Sequence, residues 1–112
     1  MEMHYIGPLL GRSARITFHE FVTECSYSIN GQLNWRVIDI NGNVTEGCEQ
    51  VSYLQLSDTL HFLNWQEQSG STVTQLIDIE AGSVKAFCTG PEEDRSNLFS
   101  ASMFFEGEFE FA

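Results

Sequence analysis

The stretch FLNWQEQSGSTVTQLIDIE, residues 62–80, contains two runs of alternating apolar and polar side chains on either side of Ser69-Gly70. Alternation with a period of two is typical of β-strands, and a glycine between two such runs is typical of a hairpin. With a two-residue turn at Ser69-Gly70, one face of the hairpin collects Trp65, Glu67, Thr74 and Asp78. This mixed face predicts either a wet outer surface or the lining of a cavity.

The rest of the chain repeats this pattern of short strands and tight turns. Asn-Gly at 30–31 and at 41–42 is a strong hairpin signal, because both residues tolerate the positive φ of tight turns. Strands are predicted at Ser13–His19, Glu20–Ile29, Leu33–Ile40, Glu46–Leu56, Leu60–Gln68, Ser71–Ile79, Val84–Thr89 and Leu98–Phe105, which can continue to Phe111. No long helical period occurs, so we expect only a short N-terminal cap within the first dozen residues.

About eight antiparallel strands in meander order predict an all-β protein, a small up-and-down β-barrel formed by one domain over residues 1–112. A sandwich is the alternative. Closure is favoured because an open meander leaves two strand edges unprotected. The ending FFEGEFEF, residues 104–111, could close the barrel against the first strand or pair with a second copy of the chain.

The composition restricts the partners and the compartment. A net charge of −11, from 16 acidic and 5 basic residues, repels phosphate groups, so we expect neither nucleic acid nor a membrane as a partner. The three cysteines form no CxxC pair and are expected to be reduced, as in a cytoplasmic protein. We expect a cytoplasmic location and no cofactor.

Register propagated from two-residue turns assigns the faces of the strands. One face carries aromatic and charged groups among aliphatic ones, which is the composition of ligand cavities, so it is predicted to face inward. Its members are Tyr27, Arg36, Glu49, Tyr53, His61, Trp65, Glu67 and Asp78, among Phe21, Ile38, Val51, Leu63 and Leu76. The opposite face is more polar and includes Gln75, with Trp35, Leu54, Phe62 and Ile77 as its apolar members.

One run of residues resembles a known family. It reads Glu49-x3-Tyr53, then Leu60-x-Phe62-x2-Trp65-x-Glu67-x2-Gly70-x-x-Val73, then Asp78-x3-Gly82-x-Val84. This pattern is similar to the MoaF-like family of small lipocalin-like (calycin) barrels, and the match is good over residues 46–90. The resemblance implies a closed barrel with a central cavity. It implies little about chemistry, since the activity of that family is poorly defined.

The predicted inner face supplies the candidate site residues. The candidate ligand-binding residues are Tyr27, Arg36, Glu49, Tyr53, His61, Trp65, Glu67 and Thr74. Arg36 is central, because a guanidinium in a cavity needs a carboxylate partner, either Glu49 or an anionic ligand. Glu49, together with His61 placed opposite Asp78, provides candidates for acid–base catalysis. No metal is expected, because the spacing of these residues matches no metal motif.

Three functions remain open at this level. The first is a binding protein that holds a hydrophobic or aromatic carboxylate in the barrel. The second is a barrel enzyme acting on such an acid by proton transfer, as a decarboxylase or isomerase, because Tyr27, Tyr53, Arg36 and Glu49 resemble the constellation of phenolic acid decarboxylases. The third is a non-catalytic structural or interaction protein that uses an outer patch at Trp35, Leu54 and Phe62. A homodimer is expected from the apolar outer residues and the Phe/Glu ending.

Overall fold

The computed structural model describes residues 9–90 and 102–112, so most of the predicted N-terminal cap and the charged loop from Pro91 lie outside the described residues. The described residues form nine strands: β1 (Ser13–Thr17), β2 (Phe21–Tyr27), β3 (Gln32–Asp39), β4 (Val44–Gln50), β5 (Ser52–Gln55), β6 (Leu60–Gln66), β7 (Thr72–Asp78), β8 (Ser83–Thr89) and β9 (Ser102–Phe111). The predicted all-β barrel is confirmed. It has nine strands because the predicted strand Glu46–Leu56 is divided at Val51.

The strands form one antiparallel sheet that is nearly closed into a barrel. Their order is β4-β3-β2-β1-β9-β8-β7-β6-β5. The chain ending pairs with the first strand, with Phe111 opposite Ala14, which is one of the two alternatives expected for it. The two outermost strands, β4 and β5, are separated only by Val51, whose amide donates to the Gly31 carbonyl at 2.9 Å. This bent segment pairs first with β3 and then with β6, and so brings the two ends of the sheet together.

Three of the hairpins share a loop of three residues that ends in glycine with positive φ. These glycines are Gly31, Gly42 and Gly70, with φ of 86°, 84° and 97°. In the last of these hairpins the Glu67 amide donates to the Ser71 carbonyl at 2.7 Å and closes the loop. A turn followed by one left-handed residue is a common three-residue hairpin connection, and glycine adopts that conformation without strain. Each loop is therefore one residue longer than a two-residue turn and moves the register of the next strand by one position.

The prediction for β3 was wrong for this reason. Cys25 pairs with Trp35, and Trp35 pairs with Gly47, so Trp35 faces inward and Arg36 faces outward. The side chain of Arg36 is 52% exposed, and its guanidinium lies 3.9 Å from the Glu24 carboxylate on the outer surface. The second shift, at Gly42, cancels the first, so the inward residues of β4 are those that were predicted.

The prediction for β7 was wrong for the same reason. The shift at Gly70 pairs Trp65 with Val73, where the two-residue turn had placed Thr74. Gln75, expected outside, is buried in the barrel together with Val73 and Ile77. The predicted inward residues of this strand, Thr74, Leu76 and Asp78, lie on the opposite face and are only half-buried.

Two ends of the barrel differ in how they are filled. Near the β2–β3, β5–β6 and β7–β8 turns the interior is solid, and each fully buried aliphatic side chain there stabilises the fold by roughly 1.5–3 kcal/mol. Its members include Leu9, Leu33, His61, Leu63, Ile77 and Val84, each at most 1% exposed. The other end, near the β1–β2, β3–β4 and β6–β7 turns, contains open space.

In the part of the chain that the structure describes, no helix is long and apolar enough to cross a membrane.

Candidate functional site

A cavity of about 430 Å³ occupies this second end of the barrel. Its volume lies within the range of small-molecule sites, and its lining is predominantly apolar, which is usual for such sites. The aromatic part of the lining consists of Phe18, Phe21, Trp35, Trp65 and Phe105. The polar part includes Thr23, Thr45, Glu67, Ser71, Gln75 and Thr89.

Three phenylalanines from different strands and turns form one wall of the cavity. The ring centroids of Phe18 and Phe21 are 4.7 Å apart, and Phe105 meets both edge-on at 5.9 and 5.5 Å. Gly107 makes room for this wall, since a Cβ there would lie 2.7 Å from the Thr17 carbonyl oxygen and 2.8 Å from the Phe18 ring. This wall was not predicted from the sequence. A glycine inside the alternating FFEGEFEF run was the available signal, because such a glycine often marks close approach of another group.

The second wall begins with Trp35. Its indole Nε1 donates a hydrogen bond of 3.1 Å to Oε2 of Glu49. The ring lies against Gly47, where a Cβ would come within 2.8 Å of three indole atoms. Glycine at this position is therefore required for the observed orientation of the tryptophan. Glu49 faces inward as predicted, but it lies behind Trp35 and its contribution to the cavity is indirect.

Trp65 and Glu67 form a similar pair on β6 and the loop that follows. Nε1 of Trp65 donates to Oε2 of Glu67 at 3.3 Å, and both side chains line the cavity. Burial raises the pKa of Glu67; the Trp65 hydrogen bond opposes the rise and the nearby charge of Glu49 adds to it. Glu67 in turn helps to raise the pKa of the Cys88 thiol, although burial is the larger cause. The inward placement of both residues was correctly predicted.

Gln75 is the polar group that the sequence prediction assigned to the wrong face. Its side chain is 5% exposed and lines the cavity. Its Oε1 atom is buried and has no hydrogen-bond partner among the residues that the structure describes. Buried acceptors are normally satisfied, so this atom is a natural contact for a donor group that enters the cavity.

Tyr53 and His61 form a pair at the solid end of the barrel, outside the cavity. A hydrogen bond of 2.5 Å joins the Tyr53 hydroxyl and Nδ1 of His61, and the two rings stack with an interplanar angle of 8°. His61 is completely buried, its Nε2 atom has no partner within the described ranges, and burial lowers its pKa. Both residues face inward as predicted, but they do not line the cavity.

The predicted acid–base pair of His61 with Asp78 is not formed. His61 pairs with Ile77, because of the shifted register, and Asp78 lies on the other face of β7. The Asp78 carboxylate instead accepts the backbone amides of Glu80 and Ala81 at 3.1 and 3.0 Å. Its role is therefore to stabilise the β7–β8 turn, in the manner of an Asx turn.

Tyr27 and Thr74 complete the predicted set. Tyr27 is 3% exposed in the solid core, and its hydroxyl has no conventional hydrogen-bond partner in the described part of the chain. Burial raises the pKa of Tyr27 well above the usual range. Burial also raises the pKa of the neighbouring Cys25 thiol, to about 11. Thr74 lies on the outer face, where its Oγ1 accepts a hydrogen bond of 2.8 Å from Asn64. Neither lines the cavity.

The described residues contain no group of three or more His, Cys, Asp or Glu side chains that could hold a metal ion. The residues brought together at the cavity are thus Trp65 and Glu67, with Glu49 behind Trp35 and with Gln75 at the wall.

Comparison with known proteins agrees with this architecture. No curated protein matched the sequence. A crystal structure described as that of "a putative beta-lactamase from Burkholderia vietnamiensis" superposes with a TM-score of 0.83, covering 97% of this chain and 100% of the other at 15% identity. At that identity the likeness shows the fold alone. The MoaF-like family matches residues 10–101, which is most of the chain. The protein is therefore a member of the MoaF-like family, with a small lipocalin-like barrel.

Proposed function

We propose that the protein is a binding protein that holds a small, largely apolar molecule in the cavity of its barrel. The observation that carries this proposal is the cavity itself, about 430 Å³ in volume and walled by phenylalanine and tryptophan rings. The walls of an apolar space of this size do not pack against one another, so they lack contacts that a filled core would have. A ligand that fills it would recover those contacts, and its donor group could satisfy Gln75.

The sequence suggested a carboxylate ligand, but the structure lacks the cationic group in the cavity that motivated this suggestion. That prediction depended on Arg36 as a cationic anchor, and Arg36 lies on the outer surface beside Glu24. Of the other basic residues, Arg12, Arg15 and Lys85 are exposed, and Arg95 lies outside the described residues. A carboxylate in this cavity would meet Glu67 and no cation among the described lining residues, so it would pay for desolvation without a partner.

The enzyme hypothesis is weakened by the same observation. Its constellation of Tyr27, Tyr53, Arg36 and Glu49 required all four groups on the inner face, and Arg36 is not there. The interaction hypothesis keeps part of its patch, since Leu54 and Phe62 are exposed, but Trp35 faces the cavity. Binding is the function that the geometry supports best.

Fluorescence titration tests the proposal directly. Both tryptophans of the chain line the cavity, so a ligand that enters it should change the intrinsic emission. We expect N-phenyl-1-naphthylamine, a neutral apolar probe, to bind with a rise in its own fluorescence. A ligand at 100 times its Kd should also add about 2.7 kcal/mol to the free energy of unfolding.

A pair of variants on β8 locates the binding. Ala86 is buried and lines the cavity, so Ala86→Leu should fill part of the space and abolish probe binding. Lys85→Leu, one residue away on the exposed face, is the matched control and should bind as the unaltered protein does. Equal binding by both variants, or no binding by the unaltered protein, would refute the proposal.

A further inference from the structure

We propose that the ligand of this cavity carries a positive charge, as a protonated amine on an apolar body, with the carboxylate of Glu67 as its counter-ion. This inference rests on the proposed binding function and assigns the chemical class of the molecule bound. Its basis is the arrangement of acids, indoles and an unsatisfied acceptor around the cavity.

Two tryptophan–glutamate pairs flank the site. Trp65 donates to Glu67 at 3.3 Å and Trp35 donates to Glu49 at 3.1 Å, and the two carboxylates are close enough for the charge of Glu49 to act on Glu67. Each indole hydrogen bond uses one oxygen, and a carboxylate has about four acceptor positions, so acceptor capacity remains for a ligand. Indole faces beside carboxylates form the kind of surface that attracts organic ammonium groups.

The negative charge at this end of the barrel has no protein counter-ion among the described residues. The ion pairs described involve Arg15, Arg36 and Lys85, all on the outer surface, and neither Glu49 nor Glu67 takes part in one. A partly buried carboxylate without a cation bears a desolvation cost, which appears here as the raised pKa of Glu67. The titratable groups that face it are Glu49 and the Cys88 thiol, and neither can neutralise it.

A second, independent feature points to a ligand in the same space. Gln75, 5% exposed, lines the cavity and has a buried Oε1 atom without a partner among the described residues. It pairs with Leu63, which precedes Glu67 by four residues on the same strand and loop. At about 3.3 Å per strand residue, the backbone positions of Gln75 and Glu67 are separated by roughly 13 Å along the barrel.

This separation indicates the shape of the ligand. Its cationic group would lie by Glu67, its apolar body would pass between the aromatic walls, and a donor at its far end would reach Gln75. The net charge of −11 favours the same class of ligand, because it raises the local concentration of cations near the protein. A carboxylate would be disfavoured by both effects.

Three ligands with the same eight-carbon chain separate head-group charge from shape: n-octylamine, 1-octanol and octanoate. Each is titrated below its micelle concentration at neutral pH, where an alkylamine is protonated as lysine is, and binding is followed by tryptophan emission. We expect the amine to bind about tenfold or more tightly than the alcohol, since hydrogen bonds to charged groups are the stronger class. Octanoate should bind least.

Glu67→Gln should lower the affinity for the amine to about that for 1-octanol, and binding of 1-octanol by the variant shows that it is folded. Glu80→Gln removes an equal charge from an exposed turn at the opposite end of the barrel and should preserve the preference. Equal binding of amine and alcohol, or a preference that survives Glu67→Gln, would overturn the cation inference while the binding function stands. No emission change with any of the three would overturn both.

Discussion

Gly47→Ala is the substitution whose effect the structure specifies in most detail. Gly47 pairs with Trp35 across β3 and β4, and an added Cβ would lie within 2.8 Å of three atoms of the indole. The ring can make room only by moving away from Gly47, which would displace its hydrogen bond to Glu49. Overpacking of this kind costs about 1–3 kcal/mol.

Two further terms set the net value. Loss of the Trp35–Glu49 hydrogen bond would move the cost toward the upper end of that range, since bonds to charged groups contribute roughly 1.5–3 kcal/mol. Alanine is better than glycine within a strand by about 0.5–1 kcal/mol, which offsets part of it. We expect a net loss of about 1–3 kcal/mol, and a fall in Tm of roughly 4 °C for each kcal/mol in a domain of this size.

Urea unfolding followed by tryptophan emission measures this loss, and a double-mutant cycle isolates its cause. In a Trp35→Leu background the indole is absent, so Gly47→Ala should cost less than about 0.5 kcal/mol or should stabilise the protein slightly. If Gly47→Ala is equally destabilising in both backgrounds, the contact with Trp35 is not the reason for the glycine, and the account of this wall is incorrect.

Three other predictions concern pH and association. Folding raises the pKa of Glu67 above its unfolded value of about 4.5, so ionisation of this carboxyl destabilises the fold as pH rises through the folded pKa. Glu67→Gln should therefore raise Tm at pH 7 and not at pH 4. The pKa of His61 is lowered in the folded state, so its effect on stability has the opposite dependence on pH. The stability contributed by its neutral form is present above about pH 6.5 and is lost as pH falls below that value. The slope of Tm between pH 7 and 5 should therefore decrease in His61→Leu. The predicted homodimer would use the exposed phenylalanines of β8 and β9, Phe87 and Phe104. The double variant Phe87→Ser with Phe104→Ser should therefore sediment as a monomer in sedimentation velocity. An unchanged sedimentation coefficient would exclude this face as the dimer interface.

The sequence was sufficient for the fold because strand alternation and turn residues are local properties. Each predicted strand that falls on described residues is present, with changes at the ends and the division at Val51. The faces of β2, β4, β5 and β6 were also correct, so Glu49, Trp65 and Glu67 were placed inward from the sequence. The shifts at Gly31 and Gly42 cancel between β2 and β4, and the β5–β6 pairing contains no shift.

The site itself was decided by loop length, which a Gly-containing turn does not specify. A two-residue turn and a three-residue turn with glycine last have the same sequence signal, but they differ by one residue in register and therefore by a whole face of the next strand. Gly31 and Gly70 adopt the longer loop, which puts Arg36 in water and Gln75 in the barrel.

By itself, then, the sequence determined an acidic, all-β barrel of a recognisable family, and of its eight candidate ligand-binding residues it placed Trp65 and Glu67 at the cavity. Only the tertiary structure decided the electrostatic character of that cavity. The physical reason is that side chains on a strand alternate with a period of two, so one added loop residue exchanges an arginine for a tryptophan and a threonine for a glutamine. A site that was expected to bind an anion thereby becomes one whose charged groups are acidic.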